Sequence, residues 1–221
     1  MKLVVVITFI FLACNGPAQK HPSATAEQPR DRIGGPFENS EYMYIGMPAN
    51  INAVDTSAGW EQPGQKLLIT GTIFQNDGVT PASGAILYYY HTDINGVYAN
   101  RAGLDPRVAR HGYIRGWVKS GPDGKYSIYT VRPAPYPNRT DPAHIHPSIK
   151  EPGIVNEYYI DEFVFDDDKL LTTSKRRAME NRGGSGVLRP VKQGDLEVAE
   201  HDIILGMNVP GYPVIVKPII L

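Results

Sequence analysis

Short apolar runs alternate with turn signals over most of the chain. Leu67–Phe74 is rich in β-branched residues and stops at Gln75-Asn76-Asp77-Gly78. Ala85–His91 stops at Asp93-Ile94-Asn95-Gly96, Tyr113–Val118 before Gly121-Pro122-Asp123-Gly124, and Tyr126–Val131 at Pro133-Ala134-Pro135. Further runs occupy Ala143–Ile149, Tyr158–Phe165, His201–Leu205 and Val214–Ile219. Runs of this length, punctuated by Asn-Gly and Asp-Gly, predict an all-β fold, an antiparallel β-sandwich with long loops. One short helix is expected from Leu170 to about Glu180, ended by Gly183-Gly184, with Asp168 as a cap. No internal repeat interrupts this pattern, and 221 residues suit one folded domain.

The N-terminus follows a different pattern. Met1-Lys2 leads into an apolar stretch, Leu3–Ala13, and then Cys14. Such a stretch is too short to cross a bilayer, which takes about 20 residues; it reads as an export signal. Phe11-Leu12-Ala13-Cys14 resembles the lipobox of bacterial lipoproteins. That resemblance implies acylation at Cys14 and a lipid-anchored place in the bacterial cell envelope; the alternative is a plain signal and a secreted, soluble chain. Residues 1–14 are thus taken as signal peptide, 15–39 as a flexible polar tether that includes His21, and 40–221 as the folded domain.

Composition narrows the function. Lys plus Arg is 22 and Asp plus Glu is 23, a net charge of -1, which argues against a nucleic-acid surface. The membrane is reached only through the N-terminal anchor, and nothing in the sequence sets an oligomeric state. The single cysteine excludes an internal disulfide and a cysteine-based zinc finger. The 13 tyrosines outnumber the 6 phenylalanines, which is compatible with edge packing or with phenol chemistry.

His144-Ile145-His146 is the sharpest chemical feature. On a strand, residues two apart share a face, so the two imidazoles lie about 7 Å apart and can share one ion. By itself the pair is weak evidence, since many such pairs are surface accidents. Tyr136 is bracketed by Pro135 and Pro137, which stiffen its segment; Tyr98 follows the turn Asn95-Gly96. A phenol titrates near pH 10, so a tyrosinate ligand calls for a hard, highly charged ion such as Fe(III). His91, His111 and His201 stand alone and are read as structural. Arg182-Gly183-Gly184-Ser185-Gly186 lacks the P-loop ending and reads as a surface or pocket-edge loop, and Asp166-Asp167-Asp168 as a solvated turn.

Taken in order, these pieces carry a resemblance. Tyr88 to Tyr98, Arg115-Gly116, Gly124-Lys125-Tyr126, Arg132 to Pro137 and Pro142-Ala143-His144-Ile145-His146 together resemble the intradiol ring-cleavage dioxygenases, over roughly Leu67 to Phe165. The resemblance implies a β-sandwich and one non-haem Fe(III) per chain, held by Tyr98, Tyr136, His144 and His146, with their Oη and Nε2 atoms converging. It also implies a small aromatic diol and O2 as substrates, with Tyr136 accepting a substrate proton. Several positions depart from the family pattern. Asp141 stands where an arginine is usual, and Arg139 is a candidate replacement for that charge. Glu162, in Asp161-Glu162, stands where a neutral amide is usual, and Tyr90 replaces a tryptophan. Asp141 and Glu162 are therefore expected beside the substrate ring. Two other readings remain: a binding or structural module that kept the sandwich and metal site without turnover, and a zinc hydrolase built on the histidines and a carboxylate.

Overall fold

Period-two alternation, in which successive side chains point to opposite faces, builds two sheets whose inner faces meet. The computed structural model describes residues 32–35 and 40–213. Cys14 with the expected signal, His21, most of the expected tether and the expected strand over 214–219 lie outside the described residues. The strands in chain order are β1 (Val54–Thr56), β2 (Lys66–Phe74), β3 (Ile86–His91), β4 (Arg115–Lys119), β5 (Lys125–Val131), β6 (His144–Lys150), β7 (Tyr158–Tyr159) and β8 (Phe163–Phe165). After helix α1 (Thr173–Ala178) come β9 (Val187–Leu188), β10 (Val191–Gln193), β11 (Leu196–Glu200) and β12 (Ile203–Ile204).

One sheet runs β1-β5-β2-β11-β10, with β12 also on β2; the other runs β4-β3-β6-β8-β9, with β7 on β6. Leu67, Ile69 and Ile128 from the first sheet bury against Leu87, Ile145 and Phe163 from the second. The sandwich expected from the sequence is therefore present. Its pairing is not wholly antiparallel: β1–β5, β2–β11, β2–β12 and β8–β9 run parallel. Parallel neighbours need long crossovers, and β11 and β12 reach β2 only after the chain has traversed the second sheet.

Other boundaries differ from expectation for local reasons. The Tyr158–Phe165 run splits into β7 and β8, because Asp161 turns aside to accept from the backbone N–H groups of Asn181 (2.8 Å) and Arg182 (3.1 Å). The helix is confined to Thr173–Ala178 and is capped by Thr172, whose Oγ1 accepts from Lys175 N–H at 3.3 Å. Asp168 instead accepts from Leu170 N–H (2.8 Å) and Ala143 N–H (2.7 Å), fixing the entry to β6. His201 precedes β12 and, consistent with a structural role, bonds through Nε2 to the Ser185 carbonyl at 2.8 Å. Residues 32–35, at the end of the expected tether, are bound to the domain. Ile33 packs on the core, Gly34 N–H donates to the Pro210 carbonyl (2.7 Å), and Arg182 donates to the Gly34 carbonyl (3.0 Å).

The two faces of the second sheet have different neighbours. Leu87 and Tyr89 of β3 and Ile145 and Ile149 of β6 point into the sandwich. The intervening residues point out, and register sets Tyr90 beside His146, Tyr88 beside Ser148 and His144 beside Val164. Polar contacts tie the sheets together. Tyr89 Oη donates to Asp55 at 2.6 Å, and His91 Nε2 accepts from Thr130 Oγ1 at 2.8 Å while Nδ1–H donates to the Thr92 carbonyl at 2.7 Å.

His91 gives the fold a pH dependence. Burial pushes its imidazole from 6.5 down to about 4, helped by His146 and His144 and opposed by the Thr92 hydrogen bond. Between those values the unfolded chain takes up the proton first. The stability that neutral His91 contributes is therefore complete above about pH 6.5 and lost as pH falls toward 4, a change of about 3 kcal/mol at most. Urea unfolding at pH 7 and pH 4.5 should show lower stability at the acidic value, and His91→Gln should shrink that difference. An equal difference in the variant would exclude His91 as a source.

Candidate metal centre

The two tyrosine-bearing loops are built against each other. Asp93 accepts from the backbone N–H groups of Asn95 (2.8 Å) and Val97 (3.1 Å), and its own N–H donates to the Val97 carbonyl at 2.9 Å. This tight turn presents Tyr98. Thr92 Oγ1 donates to the Ala134 carbonyl at 2.7 Å, and Ala134 N–H donates to the Asp93 carbonyl at 3.1 Å. Gly96 sits at φ 74°, and a Cβ there would lie 2.0 Å from the Pro135 carbonyl oxygen. Only glycine permits both the left-handed backbone and the approach, and that approach brings the Tyr136 segment beside Tyr98.

Four side chains converge on one point. Tyr98 Oη lies 2.7 Å from His146 Nε2 and is hydrogen-bonded to Tyr136 Oη. Tyr136 Oη lies 3.1 Å from His144 Nε2 and 3.4 Å from His146 Nε2. The imidazole centroids are 4.5 Å apart and nearly perpendicular, at 89°. Each ring is oriented from behind: His144 Nδ1–H donates to the Pro142 carbonyl (2.7 Å) and His146 Nδ1–H to Glu162 Oε1 (3.1 Å). With protons on Nδ1, both Nε2 lone pairs face the phenol oxygens, the orientation found in metal-ligating histidines.

The electrostatics suit a cation. Burial lowers the His144 pKa, and His146 adds to the effect, so its imidazole stays neutral. Burial raises the Tyr98 and Tyr136 phenols; the contact with Tyr136 adds to the rise at Tyr98, whereas the contact with Tyr98 opposes it at Tyr136. Phenols placed so keep their protons unless a strong positive charge arrives. Two phenol oxygens and two imidazole nitrogens around one point form a donor set that fits a hard trivalent metal such as iron.

Around this cluster the outward face of the second sheet is aromatic. The Tyr90 ring stacks between His111 (centroids 3.6 Å apart, 2°) and His146 (4.6 Å, 16°). His111 Nδ1 is in turn hydrogen-bonded to Tyr88 Oη at 2.7 Å. A cavity of about 610 Å³ opens beside His146, with Tyr90, His111, Asp141, Glu162 and Lys175 in its wall.

Asp141 and Glu162 both line this cavity. Glu162 also holds the far nitrogen of His146, a contact that the sequence did not suggest. Arg139 lies outside the cavity wall, exposed on the turn after Tyr136, with its guanidinium carbon 5.9 Å from the Tyr136 ring centroid. His111, read as isolated, is part of the aromatic stack; it arrives from a loop that carries no periodic signal. Tyr90 was legible in principle, since it shares a strand face with Tyr88 and register pairs it with His146. Lys175, the ammonium in the wall, was not singled out; it donates to the Thr140 carbonyl. Among the described residues, His144, His146 and Glu162 also bring ligand atoms within 4.8 Å of one another. Glu162 meets His146 at Nδ1, however, on the ring edge away from the tyrosines, so it stands behind the four-atom cluster.

Comparison with known proteins identifies the family. The dioxygenase family matches residues 38–183. A chlorocatechol 1,2-dioxygenase of Pseudomonas sp. (strain P51) is 28% identical over 145 residues, 57% of this chain and 55% of that protein. A hydroxyquinol 1,2-dioxygenase of Rhizobium sp. (strain MTP-10005) is 26% identical over 166 residues, 67% of this chain and 50% of that protein. The chain therefore spans about half the length of these curated relatives. The fold resembles the dioxygenase domain of a dioxygenase–carbohydrate-binding protein fusion from Streptomyces sp. SirexAA-E, with a TM-score of 0.53, 19% identity, and coverage of 79% of this chain and 96% of that one. It likewise resembles hydroxyquinol 1,2-dioxygenase from Pseudomonas putida DLL-E4, with a TM-score of 0.54, 23% identity, and coverage of 78% and 64%. The family match takes in Tyr98, Tyr136, His144 and His146, and the chain belongs to the intradiol dioxygenase family.

Proposed function

We propose that the chain is a non-haem Fe(III) dioxygenase that opens a catechol-type ring between its two hydroxylated carbons. Both atoms of O2 enter the product, a cis,cis-muconate type diacid. The observation that carries this reading is the convergence of Tyr98 and Tyr136 Oη with His144 and His146 Nε2, both rings hydrogen-bonded outward through Nδ1. Bound iron supplies the electronic activation that lets a catecholate react with O2. The residues of the chain do the rest. Tyr136, half-buried on its proline-bracketed segment, takes a proton from one substrate hydroxyl at Oη. Tyr98, more deeply set and contacted by His146, stays in place. Tyr90 and His111 form an aromatic wall beside the ring and keep water from that side. A zinc hydrolase leaves both tyrosines without a role. A module without turnover leaves unexplained why all four donors remain aligned.

The cavity wall also bears on the substrate. Asp141 and Glu162 face it, Arg139 does not, and Asp161 and Glu180 bring the carboxylates to four against the single ammonium of Lys175. A substrate carboxylate about 5 Å from one of these would meet about 3 kcal/mol of repulsion at an effective dielectric of 20. Asp141 is exposed and the Glu162 side chain is 50% exposed, so water and salt reduce the penalty. About 1.4 kcal/mol, a factor of ten, remains a reasonable scale. Neutral or cationic catechols are the preferred class.

We further propose that Cys14 carries a lipid anchor, on the strength of the apolar stretch before it and the polar stretch after it. Cys14→Ala should move the protein from the membrane to the soluble fraction; unchanged attachment would reject the anchor.

Oxygen uptake with catechol should consume one O2 per ring opened and should vanish in His144→Ala. Uptake without a ring-opened diacid would reject the reaction. With catechol, a catecholamine and protocatechuate compared side by side, kcat/KM for protocatechuate should be lower by about tenfold. A higher value for protocatechuate would sink the charge reading; loss of that preference in Arg139→Ala or Lys175→Ala would name the cation responsible.

A further inference from the structure

We infer that Glu162 is a positioning residue that makes His146 the stronger imidazole donor of the pair, an inference that rests on the iron reading above. The two histidines are oriented by different acceptors. Behind His144 stands a neutral backbone carbonyl, Pro142, at 2.7 Å; behind His146 stands the Glu162 carboxylate, at 3.1 Å. A carboxylate behind a ligating imidazole fixes the tautomer and raises the basicity of the far nitrogen more than a carbonyl does. His146 Nε2 is the nitrogen that faces both phenol oxygens, Tyr98 at 2.7 Å and Tyr136 at 3.4 Å.

The surrounding chain holds Glu162 there. Its backbone lies between Asp161, whose carboxylate takes the Asn181 and Arg182 N–H groups, and Val164, whose N–H donates to the Gly186 carbonyl at 2.9 Å. Gly186 sits so close that a Cβ would lie 2.3 Å from the Glu162 carbonyl oxygen. The glycine-rich loop that read as a pocket edge thus serves as the backing for Glu162. On the other side, Tyr90 lies flat on the His146 ring, 4.6 Å between centroids, leaving the Nδ1 edge turned to the carboxylate. Because the Glu162 side chain is 50% exposed, water weakens the pair. The expected effect therefore lies at the lower end of the 10- to 100-fold loss typical when the partner behind a metal ligand is removed.

The test uses the full chain loaded with iron, and two substitutions that separate charge from shape. Glu162→Gln keeps an acceptor oxygen without its charge; Glu162→Ala removes both. In Glu162→Gln a weaker donor at His146 leaves Fe(III) more Lewis-acidic, so the tyrosinate-to-iron absorption band should move to longer wavelength with iron retained. In Glu162→Ala, chelator competition should show iron affinity lower by about tenfold, with the thermal unfolding midpoint confirming an intact fold. A band in Glu162→Gln that stays or moves to shorter wavelength would overturn the inference, as would unchanged iron affinity in Glu162→Ala. A colourless, iron-free wild-type protein would instead defeat the iron reading itself, and this inference with it. A coloured wild type with indifferent Glu162 variants defeats the inference alone.

Discussion

The structure depends on the register of β6 between β3 and β8. Side chains alternate along a strand, and a slip of one residue sends every one to the opposite face. In the observed register Ile145 and Ile149 fill the sandwich while His144 and His146 stand outside it, beside Val164 and Tyr90. Burial of the isoleucines therefore sets the direction of the histidines. Asp168 reinforces the alignment by accepting the Ala143 N–H just before His144. The tyrosines come from loops, and their placement depends on a second constraint: the backbone contact that Gly96 permits at Pro135.

Two phenol protons serve three short contacts in the cluster: Tyr98 with Tyr136, and each phenol with an imidazole nitrogen whose ring proton is committed elsewhere. The same arrangement would serve as a ligand set if a cation displaced the phenol protons, because all four donor atoms already face inward. The carboxylates lie outside that inner set. Glu162 acts on it from behind His146, and Asp141 borders the cavity.

Much of this was legible in the sequence, for identifiable reasons. The sandwich follows from apolar runs separated by Asn-Gly and Asp-Gly turns, and the shared face of His144 and His146 follows from period two. Convergence of Tyr98 and Tyr136 with them followed only from family resemblance, since loop placement has no period. The parallel pairings of β11 and β12 were missed because those strands are short and their partner β2 is far away in sequence. The helix was overextended because Leu170–Thr172 looks helical in composition, whereas Asp168 and Thr172 hold it in turns. Arg139 was considered as a substitute cation from its nearness in sequence; the turn after Tyr136 places its guanidinium carbon 5.9 Å from the Tyr136 ring centroid. His111 had no signal, since it reaches Tyr90 through a loop stack.

The central claim is that Tyr98 and Tyr136 are both placed to ligate one iron with the two histidines. Resonance Raman spectroscopy on the iron-loaded protein, excited within its visible absorption, tests that most directly. The account predicts two sets of tyrosinate vibrations, one lost in Tyr98→Phe and the other in Tyr136→Phe. Absence of tyrosinate modes from the iron-loaded protein, or modes that survive both substitutions, would contradict it.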